Sequence, residues 1–223
     1  NVSIMRRGQI VGHRKTAETN PQDLAELMVG RAVLLNVDAG LPSPGEVKLS
    51  VKGLNAVADQ GHATLKDISF EVRAGEILGV AGVSGNGQTE LLEILSGMAS
   101  PASGSVEVLG TSMSADQAIG PRALRDLGVG HIPEDRHHHG LVLNYTAMEN
   151  MVLGFEHRAE AGEGLFMSTA KMRSHCQSLM DKFDVRPPRP GLKASSFSGG
   201  NQQKIVIARE MHAEPKVLLV GQP

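Results

Sequence analysis

The sequence has very little cysteine and few aromatic residues. Cys176 is the single cysteine among 223 residues, which excludes an intrachain disulfide framework and a cysteine-rich zinc site. A reducing compartment suits such a chain better than a secreted one. Five Phe, one Tyr and no Trp leave few side chains on which bases or sugar rings could stack. Cys176 shares a helical spacing with Met172 and Leu179, which predicts a core position rather than a nucleophile.

An excess of one charge and a long apolar run are also missing. The chain has 22 Lys+Arg against 24 Asp+Glu, a net charge of −2, whereas a generic nucleic-acid-binding protein would usually carry a basic surface. The longest apolar run, over 77–83, falls well short of the roughly 20 residues of a membrane-spanning helix. No apolar segment follows Arg6 and Arg7, so we expect no cleavable signal. Because the charges are balanced, we also expect no nucleic-acid partner.

The first 45 residues do not resemble the beginning of a domain. They predict a short hairpin over 2–11 and one helix, with Asn20 as its N-cap and Gly30 just past its end. A hairpin and one helix cannot bury a core by themselves. Position 1 is also not Met. We therefore expect residues 1–45 to be the C-terminal tail of a preceding domain, closed by a Pro- and Gly-rich linker over 40–45.

Glycine, in contrast, is abundant, with 26 copies that exceed the usual share of about 7%. A short apolar strand is predicted over 76–81, and it runs directly into the glycine-rich loop 82–89. A helix follows and ends before Gly97. This succession of strand, glycine-rich loop and helix is typical of a phosphate-binding loop.

The loop matches the consensus G-x-x-x-x-G-K-[ST] except at its lysine. Gly82, Gly87 and Thr89 agree with it, and Gln88 stands where the lysine would be. Backbone N–H groups in such a turn still bind phosphate oxygens. A glutamine amide adds only neutral hydrogen bonds, worth roughly half of charge-assisted ones. From this loop alone, a nucleotide site and a purely structural glycine-rich turn both stay open.

The remaining patterns alternate between strand and helix and predict an α/β fold. The predicted strands lie at 48–57, 65–72, 128–132 and 217–220. The predicted helices lie at 147–155 and 168–183.

A second glycine-rich motif precedes an apolar helix near the end of the sequence. Residues 196–204 read S-F-S-G-G-N-Q-Q-K. Ser198 is expected to cap the helix, and Gly199 and Gly200 would let the helix N-terminus approach an anion closely. A flexible turn is excluded because the helix follows directly. The strand 217–220 then leads into Gly-Gln-Pro.

Together, these motifs resemble the ATP-binding cassette (ABC) family of transporter ATPases. Phosphate loop, Q-loop, signature and Walker B strand occur in the family's order over about 46–223. The resemblance implies a P-loop NTPase-type α/β cassette with an antiparallel β subdomain, a helical subdomain, and ATP and Mg²⁺ as cofactors. It also implies that 1–45 ends a preceding cassette of a fused two-cassette protein. Residues 46–223 would then be the second cassette, truncated after its Walker B strand.

Finer features resemble the cassettes of simple-sugar and nucleoside importers. The stretches that carry this likeness are 133–136, 140–141 and 149–150. Residues 85–91 and 221–223 are more similar to the nucleoside-uptake branch. The resemblance implies a place at the cytoplasmic face of the cell membrane and ATP hydrolysis coupled to transport. The implied partners are the upstream cassette, transmembrane permease subunits contacted around 134–143 and, indirectly, a substrate-binding protein.

The resemblance also implies which residues contact nucleotide. The cassette's own site would use loop residues, namely Gly82, Gly85, Asn86, Gly87, Gln88 and Thr89. Thr89 would also be a candidate magnesium ligand. The signature residues would cover ATP held by the other cassette, and they are Ser198, Gly199, Gly200, Asn201 (for the usual Gln) and Gln202.

Four departures from the family pattern fall on the cassette's own site. Gly221 and Gln222 stand where the family has the Asp that helps hold Mg²⁺ and the Glu that polarises the attacking water. Gln88 replaces the phosphate-binding lysine, and Glu134 replaces the Q-loop glutamine. We therefore expect a degenerate site that binds ATP weakly and hydrolyses it slowly. Ser198, Gly199 and Gly200 of the signature remain, which predicts that this cassette completes the ATPase site of its partner.

Other functions stay open. A soluble cassette ATPase in translation or nucleic-acid repair would be favoured by a basic stripe, which the charge balance does not suggest. A GTPase would need an N-K-x-D stretch, and the sequence has none. A non-catalytic domain that binds nucleotide for regulation, or a purely structural domain, would explain the missing acids.

Overall fold

The computed structural model describes residues 1–6, 8–30, 43–57, 63–83, 85–158, 161–163 and 166–222. The chain divides into two compact units, Asn1–Ser43 and Pro44–Pro223. No helix in the described part is long and apolar enough to cross a membrane. Residues 40–42 of the predicted linker lie outside the described residues.

The first unit is a hairpin with one helix. Strand β1 (Val2–Arg6) pairs antiparallel with β2 (Gln9–Arg14), a 3₁₀ turn spans Thr16–Glu18, and helix α1 (Pro21–Val29) follows. The Asn20 side chain accepts a hydrogen bond from the Asp23 backbone N–H, and Gly30 ends the helix in the left-handed conformation. These contacts confirm the predicted hairpin, cap and stop.

The second unit begins with an antiparallel sheet. Its strands are β3 (Val47–Val57), β4 (Ala63–Arg73), β5 (Ser103–Val108) and β6 (Thr111–Ser114), in the order β4-β3-β5-β6. Val51 lies opposite Phe70 on one side and Val106 on the other. Val51 and Val106 are buried in a core that also contains Leu91 of helix α2 (Gln88–Leu95). The predicted strands 48–57 and 65–72 and the helix after the loop are confirmed.

A parallel strand pair carries the second half of the unit. Helix α3 (Pro121–Leu127) leads into β7 (Val129–Ile132), which pairs with β10 (Val217–Val220). Both strands agree with their predicted positions. The pairing places the end of β10 beside the segment that follows β7, and most of the candidate site residues lie there.

Helices form the remainder of the unit. After β7 come a π-helical turn (Arg136–Gly140), α4 (Ala147–Val152), the short pair β8 (Gly162–Glu163) and β9 (Phe166–Met167), α5 (Thr169–Lys182), a 3₁₀ turn (Ala194–Ser196) and α6 (Gly199–His212). Helix α4 ends three residues earlier than the predicted 147–155. Cys176 is buried in this core, and burial raises the pKa of its thiol to about 12. This confirms that Cys176 is a core residue.

The predicted strand 76–81 does not form. Residues 76–83 have no regular structure, and Ile77 is 97% exposed. A cavity of about 670 Å³ lies between this segment and β10, lined by Val80 and Leu219 among others. A strand exists only through hydrogen bonds to a neighbouring strand. No described strand pairs with this segment, so its apolar sequence alone does not make it a strand.

A buried ion pair joins α6 to the elements around it. Arg209 Nε donates to Glu210 Oε1 at 2.8 Å, and the two side chains are 4% and 0% exposed. Arg209 Nη1 donates to the carbonyls of Gly140 and Asn150, while Glu210 Oε2 accepts from the His131 backbone N–H. Burial lowers the pKa of the Arg209 guanidinium, and the charge of Glu210 opposes that shift.

Replacing Arg209 by Leu should strongly destabilise the protein. The substitution leaves the buried Glu210 carboxylate without its nearest cation and with only the Arg125 guanidinium at 3.8 Å, and breaking a buried pair costs up to about 3–5 kcal/mol. Arg186→Ala is the matched control, because its ion pair with Asp184 lies in solvent and should contribute less than about 1 kcal/mol. Urea unfolding of both variants measures the difference. Equal losses would contradict the structural role of the buried pair.

Candidate nucleotide-binding site

The phosphate loop enters α2 through a glycine whose backbone angle and close neighbours leave no room for a side chain. Gly87 has φ 97° and stands at the N-cap of α2. A Cβ on Gly87 would lie 2.6 Å from the Thr64 carbonyl oxygen and 2.7 Å from Leu65 Cδ2. Gly85 is also left-handed, with φ 83°. The loop therefore keeps the tight glycine turn that brings backbone N–H groups towards an anion.

Gln88 folds back onto its own loop. Its side-chain Nε2 donates to the Val83 carbonyl at 3.2 Å, and Asn86 Nδ2 donates to the same oxygen at 3.1 Å. The same Nε2 lies 1.9 Å from where a Cβ on Gly82 would stand. The glutamine at the lysine position thus stabilises the loop through a neutral hydrogen bond and adds no positive charge.

Three candidate residues from distant parts of the sequence meet at one carboxylate. Thr89 Oγ1 donates to Glu134 Oε2 at 3.1 Å, and Gln222 Nε2 donates to Glu134 Oε1 at 2.7 Å. All three line a cleft of about 500 Å³. The structure therefore brings together the end of the phosphate loop, the Q-loop position and the end of β10.

Gly221 has no room for a side chain. A Cβ there would lie 2.8 Å from the Glu134 backbone nitrogen and 3.0 Å from Leu92 Cδ1. An aspartate at this position would require the backbone at Glu134 to move. The glycine at position 221 and the close approach of Glu134 are therefore sterically linked.

These residues fit a magnesium ion only when phosphate is also present. The described residues contain no group of three or more His, Cys, Asp or Glu side chains that could hold a metal. Thr89 and Glu134 offer one hydroxyl and one carboxylate at the mouth of the loop. Mg²⁺ in nucleotide sites is typically held by one or two protein oxygens together with phosphates and water. Thr89 therefore remains a candidate ligand, with Glu134 beside it.

The signature residues form a second cluster at the start of α6. Ser198 occupies the N-cap position, but its hydroxyl makes no capping hydrogen bond, so the predicted cap is wrong in that detail. A Cβ on Gly199 would lie 2.8 Å from Arg136 Nη2, whereas nothing lies within 4 Å of a Cβ on Gly200. The helix therefore presents an exposed serine and an open glycine to whatever approaches its N-terminus.

Gln202 faces the interior of the cassette. It is buried, and its Oε1 accepts from Arg136 Nε at 3.3 Å and lies 2.8 Å from His137 Nε2. Its Nε2 donates to the Ala194 carbonyl. The side chain thus holds the π-helical turn against α6. Sequence reasoning missed this contact and that of Arg136 with Gly199, because neither follows from local spacing.

The two clusters are separate but connected. Among the described residues, no hydrogen bond joins the loop residues directly to the signature residues. Glu134 contacts the first cluster, and Arg136 contacts the second. The segment after β7 therefore touches both candidate sites through neighbouring side chains.

Comparison with known proteins identifies the family. The family model described as ABC transporter matches residues 65–223. The chain belongs to the ABC transporter family. The cassette resembles the dimeric ATP-binding cassette MJ0796, solved in a post-hydrolysis state with ADP and Pi, with a TM-score of 0.62 and 22% identity. That match covers 77% of this chain and 72% of the other, and it confirms the α/β cassette fold.

Several importer proteins are similar to the whole chain. The nucleoside import ATP-binding protein NupA of Lactococcus lactis subsp. cremoris is 40% identical over 222 residues, and the guanosine import ATP-binding protein NupO of Bacillus subtilis is 37% identical. A ribose import ATP-binding protein, RbsA of Halalkalibacterium halodurans, is 35% identical. Each match covers 100% of this chain, but only 42–43% of the relative. This chain thus spans less than half the length of these relatives.

Gly221→Ala should destabilise the cassette by about 1–3 kcal/mol, because the new methyl group must push the Glu134 backbone aside. Gly200→Ala is the matched control. Its methyl group meets open space, and alanine is the better helix former by about 1 kcal/mol, so stability should hold or rise. Thermal unfolding of both variants checks this, and an unchanged midpoint for Gly221→Ala would refute the steric link.

Proposed function

We propose that this chain is the ATP-binding part of an importer for nucleosides or simple sugars. The observation that carries the proposal is 40% identity to a nucleoside import ATP-binding protein over all of this chain. Relatives named for guanosine and ribose import support the same class. The protein would lie at the cytoplasmic face of the membrane. There it would contact permease subunits around 134–143 and act with a substrate-binding protein.

The proposal includes a second cassette in the same polypeptide. The relatives are more than twice as long as this chain, which leaves room for one. Residues 1–45 would be the tail of that upstream cassette, and 46–223 the second cassette. Residues 1–43 form a unit of their own, which is consistent with this arrangement.

The cassette's own site would hold ATP weakly. Backbone N–H groups around Gly85 and Gly87 would bind the phosphates, and Thr89 with Glu134 would face the magnesium ion that accompanies them. Gln88 adds no positive charge, and its amide is already bonded to Val83. The magnesium ion would neutralise phosphate charge, but the end of β10 supplies no carboxylate to activate a water molecule.

The signature would serve the other site. Ser198 is exposed at the N-terminus of α6, and Gly200 faces open space. The positive end of the helix dipole suits a phosphate group there. We infer that this surface covers ATP held by the upstream cassette, so the cassette contributes half of a working ATPase site.

The relatives reported above all have names that describe import, which disfavours a soluble cassette in translation or repair.

A second candidate is a domain that binds nucleotide only for regulation. Gly221 and Gln222 favour it, because both acids of the Walker B end are missing. The second of the two experiments below separates this candidate from the half-site role.

Gln88→Lys should strengthen ATP binding without restoring hydrolysis. The lysine would add a charge-assisted contact with phosphate, worth about 1–3 kcal/mol. Turnover should stay at background because Gly221 and Gln222 are unchanged. Equilibrium titration with a fluorescent ATP analogue and a phosphate-release assay on the purified chain measure both effects. Robust Mg²⁺-dependent turnover by the unsubstituted chain would contradict the degenerate-site proposal.

Gly199→Glu should abolish ATPase activity and uptake in the full-length importer. The new side chain would begin 2.8 Å from Arg136 Nη2, so it must displace that guanidinium, and it would place a negative charge at the α6 N-terminus beside the partner's phosphate. Gln88→Ala should cost little turnover, because that site is not expected to cycle. Proteoliposomes containing the permease, tested with nucleosides and ribose, measure uptake and ATP hydrolysis together.

The variant that loses more ATP turnover shows whether this cassette's own site or its signature serves the working site. Loss of turnover in Gln88→Ala with retention in Gly199→Glu would make this cassette's own site the working one. If neither variant changes turnover, the regulatory role is favoured. Uptake of neither nucleosides nor sugars would refute the importer class itself.

A further inference from the structure

The hydroxyl of Ser198 is not used by its own helix. Ser198 stands at the N-cap of α6 with extended backbone angles, yet its side chain makes no capping hydrogen bond. The contact it does make is with Asn201, whose Nδ2 lies 2.9 Å from Ser198 Oγ. The usual structural role of an N-cap serine therefore does not account for this hydroxyl.

The orientation of the Asn201 amide follows from its other contact. The backbone N–H of Arg186 donates to Asn201 Oδ1 at 2.7 Å. A backbone N–H is always a donor, so the atom that faces it must be the amide oxygen. The amide nitrogen must then face Ser198. The assignment of O and N, which is often ambiguous for asparagine, is thus decided by the neighbouring backbone.

This orientation controls the direction of the serine proton. A hydroxyl has one proton to donate and two lone pairs that accept. Because Asn201 Nδ2 donates to Ser198 Oγ, one lone pair is occupied and the proton has no acceptor on that side. Ser198 is exposed and Gly200 faces open space. The hydroxyl is therefore a donor directed outwards, at the positive end of α6.

The loop that orients Asn201 is itself attached to α6. Lys204 Nζ donates to the Asp184 carbonyl at 2.7 Å and lies 3.3 Å from its carboxylate. Arg186 Nε donates to the same carboxylate at 2.8 Å, and these two cations hold the pKa of Asp184 below its usual range, Arg186 most strongly. The Arg186 amide is thereby held over the first turn of α6, where Asn201 receives it.

We propose that Asn201 is a positioning residue of the signature, which holds the Ser198 hydroxyl as a hydrogen-bond donor to a phosphate oxygen of the nucleotide on the partner cassette. The inference rests on the proposed function, since it requires nucleotide at the start of α6. In this role the two amide atoms of Asn201 are used by Arg186 and Ser198. Asn201 acts through Ser198, and residues 184–186 set its orientation.

Asn201→Asp in the full-length importer tests the proposal. Aspartate has the same shape, and one oxygen still accepts the Arg186 N–H, but the other is an acceptor that would draw the Ser198 proton inwards. We expect the ATPase kcat to fall by about tenfold or more, with little change in KM. The thermal midpoint should hold or rise, because a carboxylate in the first turn of a helix is favourable. Asn201→Gln keeps an amide donor and should stay within about threefold of the unsubstituted protein.

Addition of Ser198→Ala separates orientation from simple charge repulsion. If Asn201 acts through the hydroxyl, Asn201→Asp should cost less than about twofold in the Ser198→Ala background, because the two effects are coupled. Direct repulsion of phosphate by the carboxylate would persist undiminished. Gln203→Glu is the charge control. It places a carboxylate on the same stretch of helix, where no hydrogen bond of the described residues joins position 203 to Ser198, and should cost much less than Asn201→Asp.

Different outcomes test the role of Asn201 and the proposed half-site function separately. A full kcat of Asn201→Asp, or an equal loss with and without the serine hydroxyl, would overturn the role of Asn201 and leave the proposed function standing. If Ser198→Ala by itself leaves ATPase activity intact, the signature does not serve a working site. In that case the proposed half-site role fails, and the role of Asn201 fails with it.

Discussion

The buried pair of Arg209 and Glu210 is the contact on which the second unit depends most. Both ions lie on α6, and their remaining hydrogen bonds reach the backbone of β7, the π-helical turn and α4. Charges removed from water are tolerated only when their partners are in place. This requirement fixes the position of α6 against three other elements at once. The signature at its N-terminus is therefore presented by a helix that cannot shift without breaking the hydrogen bonds of these buried ions to His131, Gly140 and Asn150.

The short segment after β7 divides its contacts between two sites. Glu134 accepts hydrogen bonds from Thr89 and Gln222, on the side of the phosphate loop. Two residues later, Arg136 lies against Gly199 and Gln202, on the side of the signature. A displacement of this segment would therefore change the contacts of both candidate sites. If the permease contacts the cassette here, as we propose, it would act on a segment that touches both candidate sites.

The departures from the family pattern act together in the structure. Gly221 leaves space for the Glu134 backbone, and the Glu134 carboxylate then lies beside Thr89. Gln88 is folded into its loop by a hydrogen bond to Val83. These residues form a self-consistent, hydrogen-bonded arrangement with little positive charge for phosphate. This arrangement supports the proposal that the site keeps a phosphate-binding loop but lacks the groups that would hold and hydrolyse ATP strongly.

Local spacing in the sequence determined the hairpin, the capped α1, most strands and helices, and the order of the glycine-rich motifs, because these depend on neighbouring residues. Tertiary structure decided the rest. Segment 76–81 has an apolar strand pattern but no described strand to pair with, and Gln222 meets Glu134 across 88 positions. The Ser198 hydroxyl lost its expected capping role to a contact with Asn201, whose orientation depends on the distant Arg186 amide. Pairing partners, amide orientation and the space around a glycine are set by residues far apart in the chain, which no local pattern specifies.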